Sequence, residues 1–291
     1  MKHAFMNSYA NKYPIRKMAD IFKVSRSGYY VYQKRDRGKR FQQRERYQQM
    51  VGDIFKLHKR RYGSTRIADE IKEKHREIVS RQRVSKIMKH LHLQAKRKRW
   101  KKYPKPEKRA VAAANILDQN FTTDSPNTVW VSDLTHMYYR HGKAYLTAVL
   151  DLFNREAVGW KLSRSMHAAN TVMPALKNAV FVCHPGPGLL FHSDRGSQYH
   201  DAELLAYMED HHIRRSMSGK GCCYDNAVIE SFFSTLKCEL SEYKEAETFE
   251  ELELMLFEYI DGYYKNMRSH SHLNGLTPYE YKKRYYENST I

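Results

Sequence analysis

The chain has 291 residues, 41% of them hydrophobic, with 51 Lys+Arg against 32 Asp+Glu and a formal net charge of +19. That length suits one large domain with smaller ones beside it, and no apolar run approaches the ~18 residues of a membrane span, so a cytosolic protein without a membrane partner is expected. Four cysteines without a C-x-x-C pair argue against a disulfide framework, early histidines with no thiol nearby argue against a structural zinc site, and the cysteines read as buried small hydrophobes.

The charge is unevenly placed. Residues 1–124 hold 34 Lys+Arg against 11 Asp+Glu, a net +23, whereas residues 125–291 hold 17 against 21, a net −4. A basic portion joined to a mildly acidic one points to nucleic acid as the partner of the first. In residues 1–45, Ile15, Met18, Ala19 and Phe22 fall at helical spacing. Lys23-Val24-Ser25 forms a turn, and a second helix carries Tyr29, Tyr30 and Val31. This is a helix-turn-helix pattern, with Arg26 a candidate DNA contact. Residues 46–95 form a second all-α unit. Met50, Ile54, Phe55 and Leu57 mark its first helix. Ser64 is placed as N-cap of a second holding Ile67, Ala68 and Ile71, and Ser80 as N-cap of a third holding Val84, Ile87, Met88 and Leu91. Residues 96–124 read as a basic linker. Arg97 and Arg99 would lie along phosphates there, and Trp100 would stack on exposed bases.

From Val129 the period switches to two. Residues 129–139, 143–153 and 155–163 read as consecutive strands, with turns at His141-Gly142 and Asn154-Arg155. A helix at 167–183 follows, then strand 189–193, helix 201–211, strand 213–217, a glycine-containing loop and helix 225–240. A meander of three strands followed by alternating helices and strands is an α/β domain with a mixed five-stranded sheet, the ribonuclease-H-like order. The core is set at 125–245 and a helical C-terminal extension at 246–291.

Three carboxylates stand out. Asp133 interrupts the apolar run that begins Val129-Trp130-Val131, Asp194 closes Leu189-Leu190-Phe191-His192-Ser193, and Glu230 borders the stripe Ile229, Phe232, Phe233, Leu236, Leu240. Taken singly they read as an edge-strand aspartate, a turn residue and a surface glutamate. In this topology the first and fourth strands are neighbours, so Asp133 and Asp194 meet at one sheet edge and the last helix brings Glu230. An acid in a buried strand is costly unless a cation offsets it, and divalent cations suit phosphate chemistry. Lys237 lies two helical turns beyond Glu230 on the same face, placed to hold a DNA phosphate. His192 is read as support for the Asp194 loop, since hard cations prefer oxygen.

These segments resemble a known family. Trp130-Val131-Ser132-Asp133-Leu134-Thr135, Phe191-His192-Ser193-Asp194-Arg195-Gly196-Ser197-Gln198-Tyr199, and Ser216–Gly221 with Asp225-Asn226-Ala227 and Glu230-Ser231-Phe232-Phe233 are similar to the OrfB transposases of the insertion-sequence-three family. These are retroviral-integrase-like DDE recombinases. The 35 residues between Asp194 and Glu230, with a basic residue seven after the Glu, match that group's signature. The tail from Tyr264 to Pro278 and the opening Ser25–Tyr30 also resemble it, and Cys222-Cys223 is a mild departure. The resemblance implies that Asp133, Asp194 and Glu230 are catalytic and bind two Mg²⁺ ions, with Mn²⁺ as a substitute. It implies double-stranded DNA as partner, both the element's terminal repeats and target DNA, with Asn226, Lys220, Lys237 and Arg268 among the contacts. It further implies a homo-oligomer acting at the bacterial nucleoid, and a partner or fusion from an upstream frame, OrfA. Two other readings are weaker. A DNA-binding regulator with a dead core conflicts with an intact triad. A nuclease of ribonuclease-H type would carry four carboxylates at other spacings and no long basic arm.

Overall fold

The computed structural model describes residues 2–34, 39–96, 114–219 and 223–289, and the chain forms two compact units, Met1–Ala95 and Lys96–Ile291. In the first unit, α1 (Lys2–Ser8), α2 (Ile15–Phe22) and α3 (Arg26–Lys34) close around Met6, Met18, Ala19 and Tyr29. The turn after α2 is left-handed at Lys23, whose N–H returns to the carbonyls of Ala19 and Asp20. α1 completes this core but has no counterpart in the sequence reading. Of the three aromatic and apolar residues expected inside α3, only Tyr29 is buried; Tyr30 and Val31 face solvent.

A second cluster holds α4 (Lys39–Leu57), α5 (Ser64–His75) and α6 (Arg81–His90) around Tyr47, Val51, Ile54, Ile67, Ile71, Val84 and Ile87. α4 runs through the expected 45/46 boundary, because nothing in its sequence breaks a helix there. Ser80 caps α6 as expected, its Oγ accepting from Arg83 N at 3.3 Å. Ser64 does not cap α5: Gly63 takes that position in extended conformation and Ser64 is the first helical residue.

The second unit contains β1 (Val129–Tyr139), β2 (Gly142–Asp151), β3 (Ala157–Ser163), α7 (Val172–Cys183), β4 (Leu190–Ser193), α8 (Ala202–Asp210), β5 (Arg214–Met217), α9 (Ala227–Glu239), α10 (Phe249–Phe257), a π-helical stretch Glu258–Tyr264 and α11 (Pro278–Ser289). The five strands are ordered β3-β2-β1-β4-β5. β1–β2 and β2–β3 are antiparallel, and β1–β4 and β4–β5 parallel. This is the mixed sheet the element order predicts. Alternation along β1 divides the core in two. Val131 and Met137 face α9 and α10, through Ile229, Phe232, Leu236, Leu252 and Leu256. Trp130, with Val149 and Phe191, faces α7 and α8 through Leu176, Ala179, Leu204 and Met208.

Three expectations change in this unit. The single helix at 167–183 is broken at Thr171, whose backbone leaves the helical region and separates a short 3₁₀ turn from α7. Residues 114–119, assigned to the linker, are packed: Leu117 is buried, and the N–H groups of Ile116 and Leu117 both donate to Ser216 Oγ. The C-terminal segment is no appendage, because Leu252, Leu256, Tyr259 and Tyr263 belong to the same apolar cluster as β1 and β2. Cys183 and Cys238 are half-buried rather than buried. Among the described residues no helix is long and apolar enough to cross a membrane.

α7 lies unusually close to β3. A Cβ on Gly159 would meet the carbonyl of Ala175 and stand 2.8 Å from Ala179 Cβ. Gly159→Ala is therefore expected to lower unfolding free energy by about 1–3 kcal/mol, measured by urea denaturation of the full chain.

Candidate active site

The parallel ladder between β1 and β4 pairs Val131 with His192 and Ser132 with Ser193. Asp133 is the next residue of β1 and Asp194 the first residue after β4, so the register itself brings them side by side. They meet where the central β1–β4 ladder ends. The sheet edge named from sequence is incorrect, because β2 and β5 flank that pair. Period two puts Asp133 on the face of Val131, which α9 covers.

α9 is fixed in rotation by its apolar stripe, with Ile229, Phe232, Phe233 and Leu236 all buried. The polar stripe of its other flank then has one place to go. Asn226, at the helix start, donates from Nδ2 to Ser132 O at 3.3 Å, and Lys237 donates from Nζ to Thr135 Oγ1 at 2.7 Å. Glu230 lies between them on the same stripe. Ser132 and Thr135 flank Asp133 on β1, so the helix lays Glu230 along the strand that carries Asp133. Asn226 occupies the N-cap position of α9, but its side chain makes no capping bond and instead clamps the helix start to β1.

The electrostatics follow from that crowding. Burial pushes the Asp133 carboxyl up to about 7, and the charges of Asp194 and Glu230 push the same way; the Leu134 N–H and Lys237 pull against them. Burial also raises Asp194, whose Oδ1 accepts from Gly196 N at 2.9 Å. Glu230 is raised by burial first and by Asp194 second. Among the described residues no three His, Cys, Asp or Glu side chains are gathered closely enough to hold an ion as they stand. The donor set nonetheless suits a hard divalent cation: three carboxylates, plus the buried Asn226 Oδ1, which has no hydrogen-bond partner among the described residues.

A polar frame holds the loops around these acids. His192 is fully buried between Ser216 Oγ at 2.8 Å from Nδ1 and Ser218 Oγ at 3.2 Å from Nε2. Ser216 Oγ already accepts two backbone N–H groups, so its proton goes to Nδ1 and the imidazole donates from Nε2. Burial holds this histidine down to about 4, which keeps it neutral. It supports the Asp194 strand, as expected. Asp225 gathers Asn115 Nδ2 at 3.0 Å, Gln119 Nε2 at 2.9 Å and Gly219 N at 2.7 Å. That latch joins the exit of the basic segment to the approach of α9, and only the apolar pair Ile116-Leu117 hinted at it in the sequence.

Family comparison agrees with this architecture. Residues 123–223 and 230–285 match models of an integrase core domain, and residues 42–101 match an HTH-like domain. Transposase InsF for insertion sequence IS3A of Escherichia coli (strain K12) is 33% identical over 289 residues, covering 98% of this chain and 99% of that protein. A 31 kDa protein of insertion element IS600 from Shigella sonnei is 34% identical over 271 residues, covering 93% and 99%. The chain belongs to the IS3 family of transposases. A structure of the HTLV-2 integrase catalytic core domain in complex with magnesium is also similar, at 17% identity and TM-score 0.43 over 54% of this chain and 97% of that one.

In this transposase the remaining residues singled out from sequence fall differently. Arg26 opens α3 and is exposed. Lys220, Arg97, Arg99 and Trp100 lie outside the described residues. Arg268 is a correction. It is buried, with Nε and Nη2 on the Glu239 carboxylate at 2.9–3.1 Å, so its fork is used inside the protein and not on DNA. Burial pulls its guanidinium down, but Glu239 outweighs this and leaves it raised. Tyr259 adds an O–H bond to Glu239 at 2.9 Å, completing a buried knot at the C-terminal end of α9.

The Asp133 shift sets a pH dependence for ion-free protein. Its carboxyl titrates near 7 in the fold against an ordinary 3.8, so the folded state holds a proton that the unfolded chain releases. The group's contribution is thus favourable at low pH and is lost as pH rises through that window. Asp133→Asn is expected to be more stable than wild type at pH 8 in chelator, with the gain shrinking toward pH 4. Urea unfolding across that range checks it; a gain constant with pH would contradict the coupling.

Proposed function

We propose that this transposase cleaves the ends of its insertion element and joins the freed 3′-hydroxyls to target DNA, with Asp133, Asp194 and Glu230 as its catalytic carboxylates. The alignment of Asn226, Glu230 and Lys237 along β1 beside Asp133 carries this reading. The three acids would hold two Mg²⁺ ions, or Mn²⁺ in their place. Bound there, such ions activate the attacking oxygen and stabilise the leaving oxygen of an in-line displacement at phosphorus. The protein's own contribution is placement. Asp133 and Asp194 are set by strand register, and Glu230 is set by helix rotation. Lys237, steadied by Thr135, presents an ammonium beside the acids where a scissile or flanking phosphate would lie. Asn226 holds the helix start to β1, so the distance between Glu230 and Asp133 resists drift.

The helical unit Met1–Ala95 would read the element's terminal repeats as duplex DNA, Arg26 being one exposed contact. The basic Arg97, Arg99 and Trp100, with Lys220, are assigned to DNA by their sequence. Joining two ends calls for at least two copies of the active site, so a homo-oligomer on DNA in the cytoplasm is the assembly proposed.

A labelled duplex of the element end, incubated with Mg²⁺, tests the triad. Asp133→Asn and Glu230→Gln should each reduce cleavage and strand transfer to background while leaving gel-shift affinity at the wild-type value. Loss of DNA binding as well would make these residues structural. Mg²⁺ should also raise the melting temperature of wild type and not of Asp133→Asn, a reading independent of turnover. With a pre-cleaved end, Lys237→Ala should slow strand transfer roughly ten- to a hundredfold. An unchanged rate in that assay would remove Lys237 from the site.

A further inference from the structure

Behind α9 lies a second feature that the transposition chemistry does not use. A cavity of about 240 Å³ is lined by Ala227, Val228, Ser231, Phe232 and Thr235 of α9, by Leu150 and Arg155, and by Tyr264, His270 and His272. At 100° per residue the α9 residues of this lining point away from the stripe of Asn226, Glu230 and Lys237. The cavity therefore touches the catalytic helix from the opposite side.

Its chemistry is lopsided. Leu150, Val228 and Phe232 make an apolar wall, and no acidic side chain lines it. Arg155 is 4% exposed. Its Nη2 donates to Phe121 O at 2.8 Å and to His272 Nε2 at 2.7 Å, but its Nη1 has no hydrogen-bond partner among the described residues. No described carboxylate lies within ion-pair distance of it. The neighbouring Asp151 acts from further off and is occupied by the N–H groups of Asn127 and Phe153. His272 cannot serve as a counter-ion: its Nε2 accepts from Arg155, so the ring is neutral, and burial with the nearby guanidinium keeps it so. A buried guanidinium whose Nη1 amino group is unmet is costly, in contrast to Arg268 with its carboxylate. Arg155 also sits at φ 61 in the β2–β3 turn, a backbone that side-chain-bearing residues seldom adopt.

We infer that this cavity is a binding site for a small organic anion, its charged group on Arg155 and its apolar body against Leu150, Val228 and Phe232. The volume limits the occupant to a small molecule. The anion relieves the unmet Nη1 group and the uncompensated charge together, which a neutral ligand or water does only in part.

The full chain, free of DNA, tests this by thermal shift and calorimetry with benzoate and phenyl phosphate as probes. Both should raise the melting temperature saturably, while benzyl alcohol, which lacks the charge, and inorganic phosphate, which lacks the apolar body, should do so far less. Arg155→Gln should weaken benzoate binding roughly tenfold or more, the loss of one charge-assisted contact. If Arg155→Gln does not fold, Val228→Trp keeps the guanidinium, fills the cavity and must abolish the same shift. No saturable shift from either anion overturns the inference, as does an equal shift from either control or one that survives the substitution.

Discussion

The short parallel ladder between β1 and β4 is the constraint on which the site depends. Four residue pairs set it, and the last, Ser132 with Ser193, leaves Asp133 on β1 and Asp194 just past β4 as the next positions. A slip of one residue would send Asp133 to the opposite face, among Trp130 and Val149, and would bury an unmatched acid in an apolar cluster. The register is defended by its neighbours. Trp130 and Val131 are fully buried on opposite faces, so either direction of slip exchanges a large apolar side chain for a polar one.

What the register assembles is unfavourable on its own terms. Burial raises all three carboxyls, neighbouring carboxylates add to this at Asp133 and Glu230, and the surrounding core has to outweigh that cost. The two apolar clusters supply the offset, one on each side of the sheet. The polar partners around the acids serve geometry more than stability. His192 is neutral and bonded at both nitrogens, and Asp225 holds three donors, two from residues 114–119 and one from Gly219. Strain of this kind, concentrated at one place in an otherwise consistent fold, is the pattern expected of a functional site.

Much of this was legible in the chain. Period two gave β1 through β3, and the helical stripe of Ile229, Phe232, Phe233 and Leu236 gave α9 and the side on which Glu230 sits. Both are local patterns that tertiary contacts reinforce. What stayed hidden depended on partners distant in sequence. Nothing local marks Asn226 as a clamp on Ser132, since an Asn before a helix reads as a cap. Arg268 sits in a polar stretch that resembles a surface, and only Glu239, at the end of α9, makes it internal. Residues 114–119 were hidden by the charge of the segment before them, although Ile116 and Leu117 carry the apolar signal. α1 was missed because a seven-residue helix with one buried residue has too few positions to show a period.

These distant partners give the C-terminal segment its meaning. α9 must hold Glu230 to a tolerance well under the length of a side chain for two carboxylates from a sheet and one from a helix to serve a single reaction. A helix packed on a sheet can still slide or roll, and its apolar stripe opposes roll better than slide. Asn226 restrains the start, Lys237 restrains the last turns against Thr135, and the Arg268–Glu239–Tyr259 knot anchors the far end to the π-helical stretch and the loop after it. The residues after 246 therefore fix the position of an acid well upstream of them, and they do so without approaching it. The two buried arginines among the described residues of this unit divide by the same logic: Arg268 has its carboxylate and braces the helix, whereas Arg155 has none among the described residues and leaves a demand for negative charge at the helix's back.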